Sequence, residues 1–138
     1  MTNKVVGWET KQTLEKLKKV GLRLALATSA RRERMELLLK TIDMTPLFFD
    51  ATVTGDEAVH KKPDPEIFMK TLDKLKLKMD ECVIVEDSVN GVQAAKKAGV
   101  KCIAVLTSFK KSDLKMAYYI CKDVRDAVDY ILKHKDSL

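Results

Sequence analysis

Two adjacent carboxylates follow a short apolar run in the second half of this chain. Glu86 and Asp87 come directly after the apolar run 83–85, and a stretch rich in small residues begins just beyond them. Neighbouring acids at the end of a buried strand repel each other unless a positive charge lies between them. Because Mg²⁺ prefers hard oxygen ligands, the pair predicts a magnesium site. The alternative is a solvated strand-to-helix junction in which Asp87 and Ser88 cap the next helix.

Two further groups are expected at strand ends. Thr28 and Ser29 follow the apolar run 24–27, and a hydroxyl with free backbone N–H groups at a helix start can bind an anion. Lys62 precedes Pro63, which biases it towards an extended conformation. Taken alone, the first group is also explained by helix capping and the lysine by a surface turn. Together, a hydroxyl, a lysine and paired acids predict a site for phosphate and a cation.

The elements that must position these groups alternate along the chain. Apolar periodicity, glycine stops and proline positions indicate the following elements. The helices are expected over residues 10–20, 31–41, 64–75, 89–98, 112–117 and 124–133, and the strands over 22–27, 48–53, 83–85 and 101–106. This alternation predicts an α/β fold with a mostly parallel sheet covered on both faces, and a site beyond the carboxyl ends of the strands. A chain of 138 residues without an internal linker predicts one domain, 1–138.

The composition of the chain limits the classes of molecule that it is expected to bind. The net charge is +6, but the basic residues are interleaved with acids and aromatic residues are few, so no nucleic acid partner is expected. A basic surface attracts anionic substrates instead. No apolar run approaches membrane-spanning length and no signal peptide is expected, so no membrane partner is predicted. Three widely spaced cysteines, Cys82, Cys102 and Cys121, predict buried thiols in a reducing compartment, with the cytoplasm as the expected location.

Three segments resemble motifs of a known family. Leu24–Ala30, Lys62–Phe68 and Val83–Gly99 are similar to the second, third and fourth motifs of the haloacid dehalogenase superfamily, in its phosphatase branch with beta-phosphoglucomutase and phosphoglycolate phosphatase. The resemblance extends from about residue 10 to the C-terminus, with the motifs in the family's order. It implies a three-layer α/β/α, Rossmann-like core with a mostly parallel sheet.

The resemblance also implies a role for each matched residue. Thr28, with the Ser29 N–H, would bind the transferring phosphoryl group. Lys62 would neutralise charge on the phosphoryl oxygens and on the nucleophile. Asp87 would bind Mg²⁺, with Glu86 assisting directly or through water. The implied activity is that of a magnesium-dependent phosphatase or phosphomutase acting on a small phosphorylated metabolite.

The first motif of the family has no counterpart in this sequence. In the family a strand ends in Asp-x-Asp, its first aspartate attacks phosphorus, and a helical cap domain usually follows. Residues Met1–Glu9 precede the first helix and contain no aspartate. The expectation is an incomplete core that lacks the central strand and the cap, and is inactive because no carboxylate attacks phosphorus. A truncated chain, a degraded gene and a recruited non-enzymatic domain all fit this pattern.

Loss of a central strand leaves two strand edges unpaired. Val5–Trp8 could fill the gap, the two neighbouring strands could pair directly, or a second copy could supply the edge as a homo-oligomer. A non-enzymatic binding or self-associating domain is therefore the alternative function. A response-regulator-like receiver also carries paired acids, a hydroxyl and a lysine. Its acid pair follows the first strand, however, whereas here Lys62 precedes the acids.

Overall fold

The computed structural model describes residues 9–138, with side chains from residue 11 onwards. Residues 1–8 lie outside this range, and with them the expectation for Val5–Trp8. The helices are α1 (Glu9–Lys19), α2 (Arg32–Lys40), α3 (Glu66–Leu75), α4 (Val89–Ala98) and α5 (Val124–His134). The strands are β1 (Ala25–Ala27), β2 (Ala51–Val53), β3 (Val83–Glu86), β4 (Lys101–Val105) and β5 (Tyr119–Cys121). None of these helices has the length and apolar composition needed to cross a bilayer.

Local signals in the sequence define the ends of α4, the helix that follows the acid pair. The Ser88 hydroxyl accepts a hydrogen bond from the Gly91 N–H at 2.9 Å and caps the first turn. Gly99 ends the helix in the left-handed conformation, with φ of 78°, where a side chain would be strained. The helix therefore begins one residue after Ser88 and points its first turn at the end of β3.

The strands form two separate parallel sheets. β1 pairs with β2 in one, and β3, β4 and β5 follow in this order in the other. Within residues 9–138 no pairing joins β1 to β3, so of the three alternatives for the missing strand, direct pairing of these neighbours is wrong. A cavity of about 430 Å³ lies between them, lined by residues 24, 25 and 27 beside β1 and 83–85 on β3. We call it the interstrand cavity.

Helices cover both faces of the strands, which confirms the three-layer α/β/α arrangement. Helices α1, α2 and α5 share one apolar core, and α3 and α4 share the other. Side chains along each strand alternate between these cores, as the period of two requires. In β3, Ile84 packs with α3 and α4, whereas Val85 packs with α1, α2 and α5.

The segment after β4 corrects two features of the sequence interpretation. The helix expected over 112–117 is wrong, because the chain forms only a single 3₁₀ turn at Lys111–Asp113. The strand β5 was not expected at all. The Tyr118 N–H donates to the Cys102 carbonyl at 2.8 Å, so pairing with β4 outweighs the weak local helical preference.

The strand expected over 48–53 also differs in the structure. It starts only at Ala51, after a 3₁₀ turn at Pro46–Phe48.

Candidate phosphate and metal site

A buried ion pair joins two of the motifs. Lys62, on the connection between β2 and α3, places its Nζ 2.7 Å from Oε2 of Glu86, the last residue of β3. The two side chains are 5% and 0% exposed. The Lys62 ammonium also lies 5.0 Å from the centre of the Phe68 ring. The lysine and the acid pair, 24 residues apart in sequence, therefore converge at the carboxyl edge of the strands.

The Glu86 carboxylate is held against the first turn of α4. Its Oε1 accepts hydrogen bonds from the Asp87 N–H at 3.0 Å and from the Ser88 hydroxyl at 3.4 Å. A Cβ built on Gly91 would lie 2.1 Å from the carboxylate carbon, so only glycine leaves room for this side chain. Both Glu86 oxygens thus have partners within the protein.

Asp87 is buried and accepts hydrogen bonds from two hydroxyl groups. The residue is 4% exposed, and its Oδ2 accepts hydrogen bonds from the Ser108 hydroxyl at 3.1 Å and from the Thr107 hydroxyl at 3.3 Å. A buried carboxylate that accepts hydroxyl donors at one of its oxygens is a suitable ligand for a hard cation, so this residue fits Mg²⁺.

Thr107 and Ser108 were missed by the sequence interpretation. They follow β4 directly, as Thr28 and Ser29 follow β1. The signal that identified the first pair, hydroxyls immediately after an apolar run, was therefore present in the second.

Thr28 occupies the corresponding position at the end of β1. Its N–H donates to the Val53 carbonyl at 3.0 Å, and its hydroxyl accepts from the Ala30 N–H at 3.1 Å. The Thr28 side chain is buried, whereas Ser29 is exposed. A Cβ on Gly55 would lie 2.1 Å from the Ser29 carbonyl oxygen, so the loop after β2 packs directly on the loop after β1. The hydroxyl group and its turn are therefore fixed in place.

The connection that carries Lys62 is held by Glu66. The Glu66 carboxylate accepts the backbone N–H groups of Val59 at 2.7 Å and His60 at 3.0 Å, and lies 3.0 Å from His60 Nδ1. These backbone hydrogen bonds lower the pKa of Glu66 from 4.5 to about 2. The Lys62–Pro63 peptide bond within this connection is cis.

His60, Asp64 and Glu66 bring their ligand atoms within 4.8 Å of one another. Asp64 accepts the Glu66 N–H at 2.9 Å, so both carboxylates already cap backbone groups. His60 and Asp64 lie at the outer surface of the connection. The hydrogen bonds from backbone N–H groups to the two carboxylates account for the clustering of the three residues.

The cysteines supply no reactive thiolate. Cys102 and Cys121 are buried, as expected, while Cys82 is half-buried. Burial raises the pKa of the Cys102 thiol to about 12 and that of Cys121 to about 11, and it also raises the pKa of Cys82. These groups are protonated at neutral pH, which leaves the carboxylates, hydroxyls and lysine as the chemistry of the site.

Comparison with known proteins gives four related results. A family model described as haloacid dehalogenase-like hydrolase matches residues 7–105. The chain is 42% identical over 92 residues to a phosphorylated carbohydrates phosphatase of Thermotoga maritima, covering 66% of this chain and 42% of that protein. It is 36% identical over 107 residues to the pyrophosphatase PpaX of Bacillus velezensis, covering 78% and 49%. The crystal structure of CbbY from Rhodobacter sphaeroides in complex with phosphate is similar with a TM-score of 0.77 and 29% identity, covering 83% of this chain and 52% of that one. The chain thus spans about half the length of these relatives.

Proposed function

Because this chain belongs to the haloacid dehalogenase-like hydrolase family, we propose that it forms the phosphate- and magnesium-binding part of a phosphatase or phosphomutase acting on small phosphorylated metabolites. The names of two relatives, a phosphorylated carbohydrates phosphatase and a pyrophosphatase, support this class of substrate. Residues 1–138 act as a single partial core domain. The free thiols support a reducing location such as the cytoplasm.

The observation that carries the proposal is the buried contact between Lys62 and Glu86. A buried ion pair adds little net stability compared with well-packed apolar side chains, so its presence at this edge calls for another reason. Held by Glu86 at the end of β3, the ammonium is positioned to neutralise charge on phosphoryl oxygens. Glu86 fixes the lysine at that point.

Asp87 is the proposed magnesium ligand. Thr107 and Ser108 hold one carboxylate oxygen, and the other oxygen is then oriented for the cation. Glu86 assists through a water, because both of its oxygens contact protein groups. Bound Mg²⁺ supplies further neutralisation of phosphoryl charge.

Thr28 and Ser29 form the proposed phosphoryl-binding turn. The Thr28 hydroxyl accepts the Ala30 N–H and keeps its own proton to donate to a phosphoryl oxygen. The backbone N–H of the exposed Ser29 provides a second donor beside it. Lys62 then acts with these two groups as the catalytic cation.

We further propose that this chain alone does not turn over substrate. Met1–Glu9 contains no aspartate at the position where the family resemblance requires the nucleophile. Phosphate and magnesium binding stabilise charge but provide no covalent route, so only a residual rate from binding and electrostatics is expected. Magnesium-dependent hydrolysis of an aryl phosphate, lost in Asp87→Asn, would contradict this part of the proposal.

Binding measurements test the proposal without requiring activity. Calorimetric titration with Mg²⁺ is expected to give a dissociation constant in the millimolar range, about −4 kcal/mol, because the carboxylate set is small. Asp87→Asn should abolish this binding, while Asp129→Asn, at an exposed position, should not. Inorganic phosphate binding should be lost in Lys62→Ala and kept in the neighbouring Lys61→Ala. Equal binding by Asp87→Asn and the unaltered chain would refute the metal assignment.

A further inference from the structure

We propose that Phe68 is a positioning residue for Lys62, because the face of its ring holds the lysine ammonium at the point where a phosphoryl group is to be bound. This inference deepens the proposed function and rests on it, since that function assigns the lysine to phosphate. It adds the group that, together with Glu86, fixes the ammonium in place.

Two separate elements contact the Lys62 ammonium. Its Nζ lies 2.7 Å from Oε2 of Glu86, at the end of β3, and 5.0 Å from the centre of the Phe68 ring, in the first turn of α3. Lysine carries its ammonium on a flexible four-carbon stem, so a single partner would leave the ammonium several positions around the carboxylate. The second contact restricts these positions.

The ring of Phe68 is itself held firmly. The residue is 3% exposed and belongs to the apolar core that also contains Leu72 of α3 and Ile84 of β3. Its N–H donates to the Pro65 carbonyl at 3.0 Å, which fixes the backbone from which the ring projects. A rigid side chain on a helix is well suited to position a long and flexible one.

The burial of both groups strengthens this contact. The Lys62 side chain is 5% exposed, so little water competes with the ring for the ammonium. The attraction between a cation and the quadrupole of an aromatic ring is largest where the contact is desolvated. Lys18 offers a comparison, because its Nζ lies 4.0 Å from the centre of the Phe48 ring but the lysine is exposed. The longer contact at Phe68 is therefore the one that is shielded from water.

An aromatic ring also holds the ammonium without cancelling its charge. Glu86 already places one negative charge beside Lys62. A second carboxylate in the place of the ring would give the lysine and its partners a net negative charge, which repels a phosphate. The ring attracts the ammonium through its quadrupole and carries no net charge. A ring is thus better suited than an acid to this position.

Simple packing is the alternative explanation for Phe68. A phenylalanine in an apolar core stabilises the fold whatever lies beside its ring. Phe68→Leu would change the packing and the electrostatics together, so a loss of phosphate affinity in that variant would not separate the two roles. The test needs a change in the electron density of the ring at nearly constant shape.

Fluorination of the Phe68 ring provides this change, because each fluorine withdraws electron density from the ring face and weakens its attraction for a cation. The full chain is prepared with mono-, di- or trifluorophenylalanine at residue 68 and titrated calorimetrically with inorganic phosphate. Affinity is expected to fall stepwise, by about fivefold for the trifluoro ring. The same series at Phe48, whose ring contacts Lys18, is the matched control and should leave phosphate affinity unchanged.

Each outcome decides the inference. Phosphate affinity that is lost in Lys62→Ala but constant along the residue 68 series would refute the positioning role and leave the proposed function intact. An equal loss in the two fluorinated series would also refute that role. Absence of phosphate binding in the unaltered chain, or equal binding by Lys62→Ala, would refute the proposed phosphate site and this inference with it. If the trifluoro chain does not fold, the slope from the other two chains decides.

Discussion

A buried ion pair and an exposed histidine–carboxylate contact both involve the connection between β2 and α3, and they differ mainly in burial. Lys62 and Glu86 lie 2.7 Å apart with both side chains buried, whereas His60 and Glu66 lie 3.0 Å apart with the histidine 69% exposed. Lys62 and His60 both belong to the connection between β2 and α3, whereas Glu66 begins α3 and Glu86 ends β3. In the exposed contact, Glu66 holds the backbone of the connection in place. The buried Lys62–Glu86 pair places a charge at the strand ends. The burial of the two side chains, more than the distance between their charged atoms, therefore determines the role of each contact.

The reason is the cost of removing charge from water. An exposed pair keeps its hydration and contributes little, while a buried pair depends on its partner to offset desolvation. Glu66 is stabilised mainly by the backbone N–H groups of His60 and Val59. Glu86 has one backbone donor, Asp87, and relies on the lysine for its second oxygen. Removing the basic side chain should therefore destabilise the folded state much more at Glu86 than at Glu66.

The largest expected effect comes from breaking the buried pair. Lys62→Met leaves the Glu86 charge buried without its cation and should destabilise the fold by about 3–5 kcal/mol. The double variant Lys62→Met with Glu86→Gln removes both charges and should recover most of that loss. Urea unfolding measures both, with exposed Lys61→Met as a control expected within about 0.5 kcal/mol of the unaltered chain. Equal destabilisation in the single and double variants would show that charge burial is not the cause.

The second largest loss of stability should come from filling the space around the Lys62–Glu86 pair. Gly91→Ala places a Cβ 2.1 Å from the Glu86 carboxylate carbon and should destabilise the fold by about 1–3 kcal/mol. This opposes helix propensity, which favours alanine by about 1 kcal/mol. Exposed Lys96→Ala in the same helix is the control. A neutral or more stable Gly91→Ala would mean that the glutamate is held less tightly than its contacts indicate.

The same comparison explains how far the sequence could be interpreted. The residue types and order predicted that Lys62 and Glu86 lie at strand ends, and the structure brings them into contact. The contact between Glu86 Oε2 and Lys62 had no local signal, because the lysine comes from the connection before α3, whereas the partners of Oε1, Asp87 and Ser88, are the next two residues in sequence. The pairing of β5 likewise depends on Cys102, which is distant in sequence. Helix limits, governed by Ser88 and Gly99, were predictable to within a residue because capping is local.

Beside the buried pair, Asp87 should respond to its neutral neighbours by a smaller amount. Ser108→Ala removes a hydroxyl donor from Oδ2, and a hydrogen bond of this kind contributes about 1 kcal/mol. Loss of that orientation should weaken Mg²⁺ binding about fivefold in a calorimetric titration. Ser112→Ala, at an exposed position, is the control and should bind as the unaltered chain does. Unchanged affinity in Ser108→Ala would show that the hydroxyl does not orient the ligand.

The smallest expected effect concerns the exposed pair, and it depends on pH. Hydrogen bonds from the His60 and Val59 backbone lower the pKa of Glu66 from 4.5 to about 2 in the folded chain. A lowered folded-state pKa gives stability that is fully present above 4.5 and is lost as pH falls through 2. Glu66→Gln should therefore be less stable than the unaltered chain above about pH 5, and the difference should shrink between pH 4.5 and 2. Thermal unfolding across this range measures it, with Glu33→Gln on the exposed side of α2 as the control. A difference that stays constant down to pH 2 would mean that the carboxylate charge does not hold the connection, and that the exposed acid acts only through its shape.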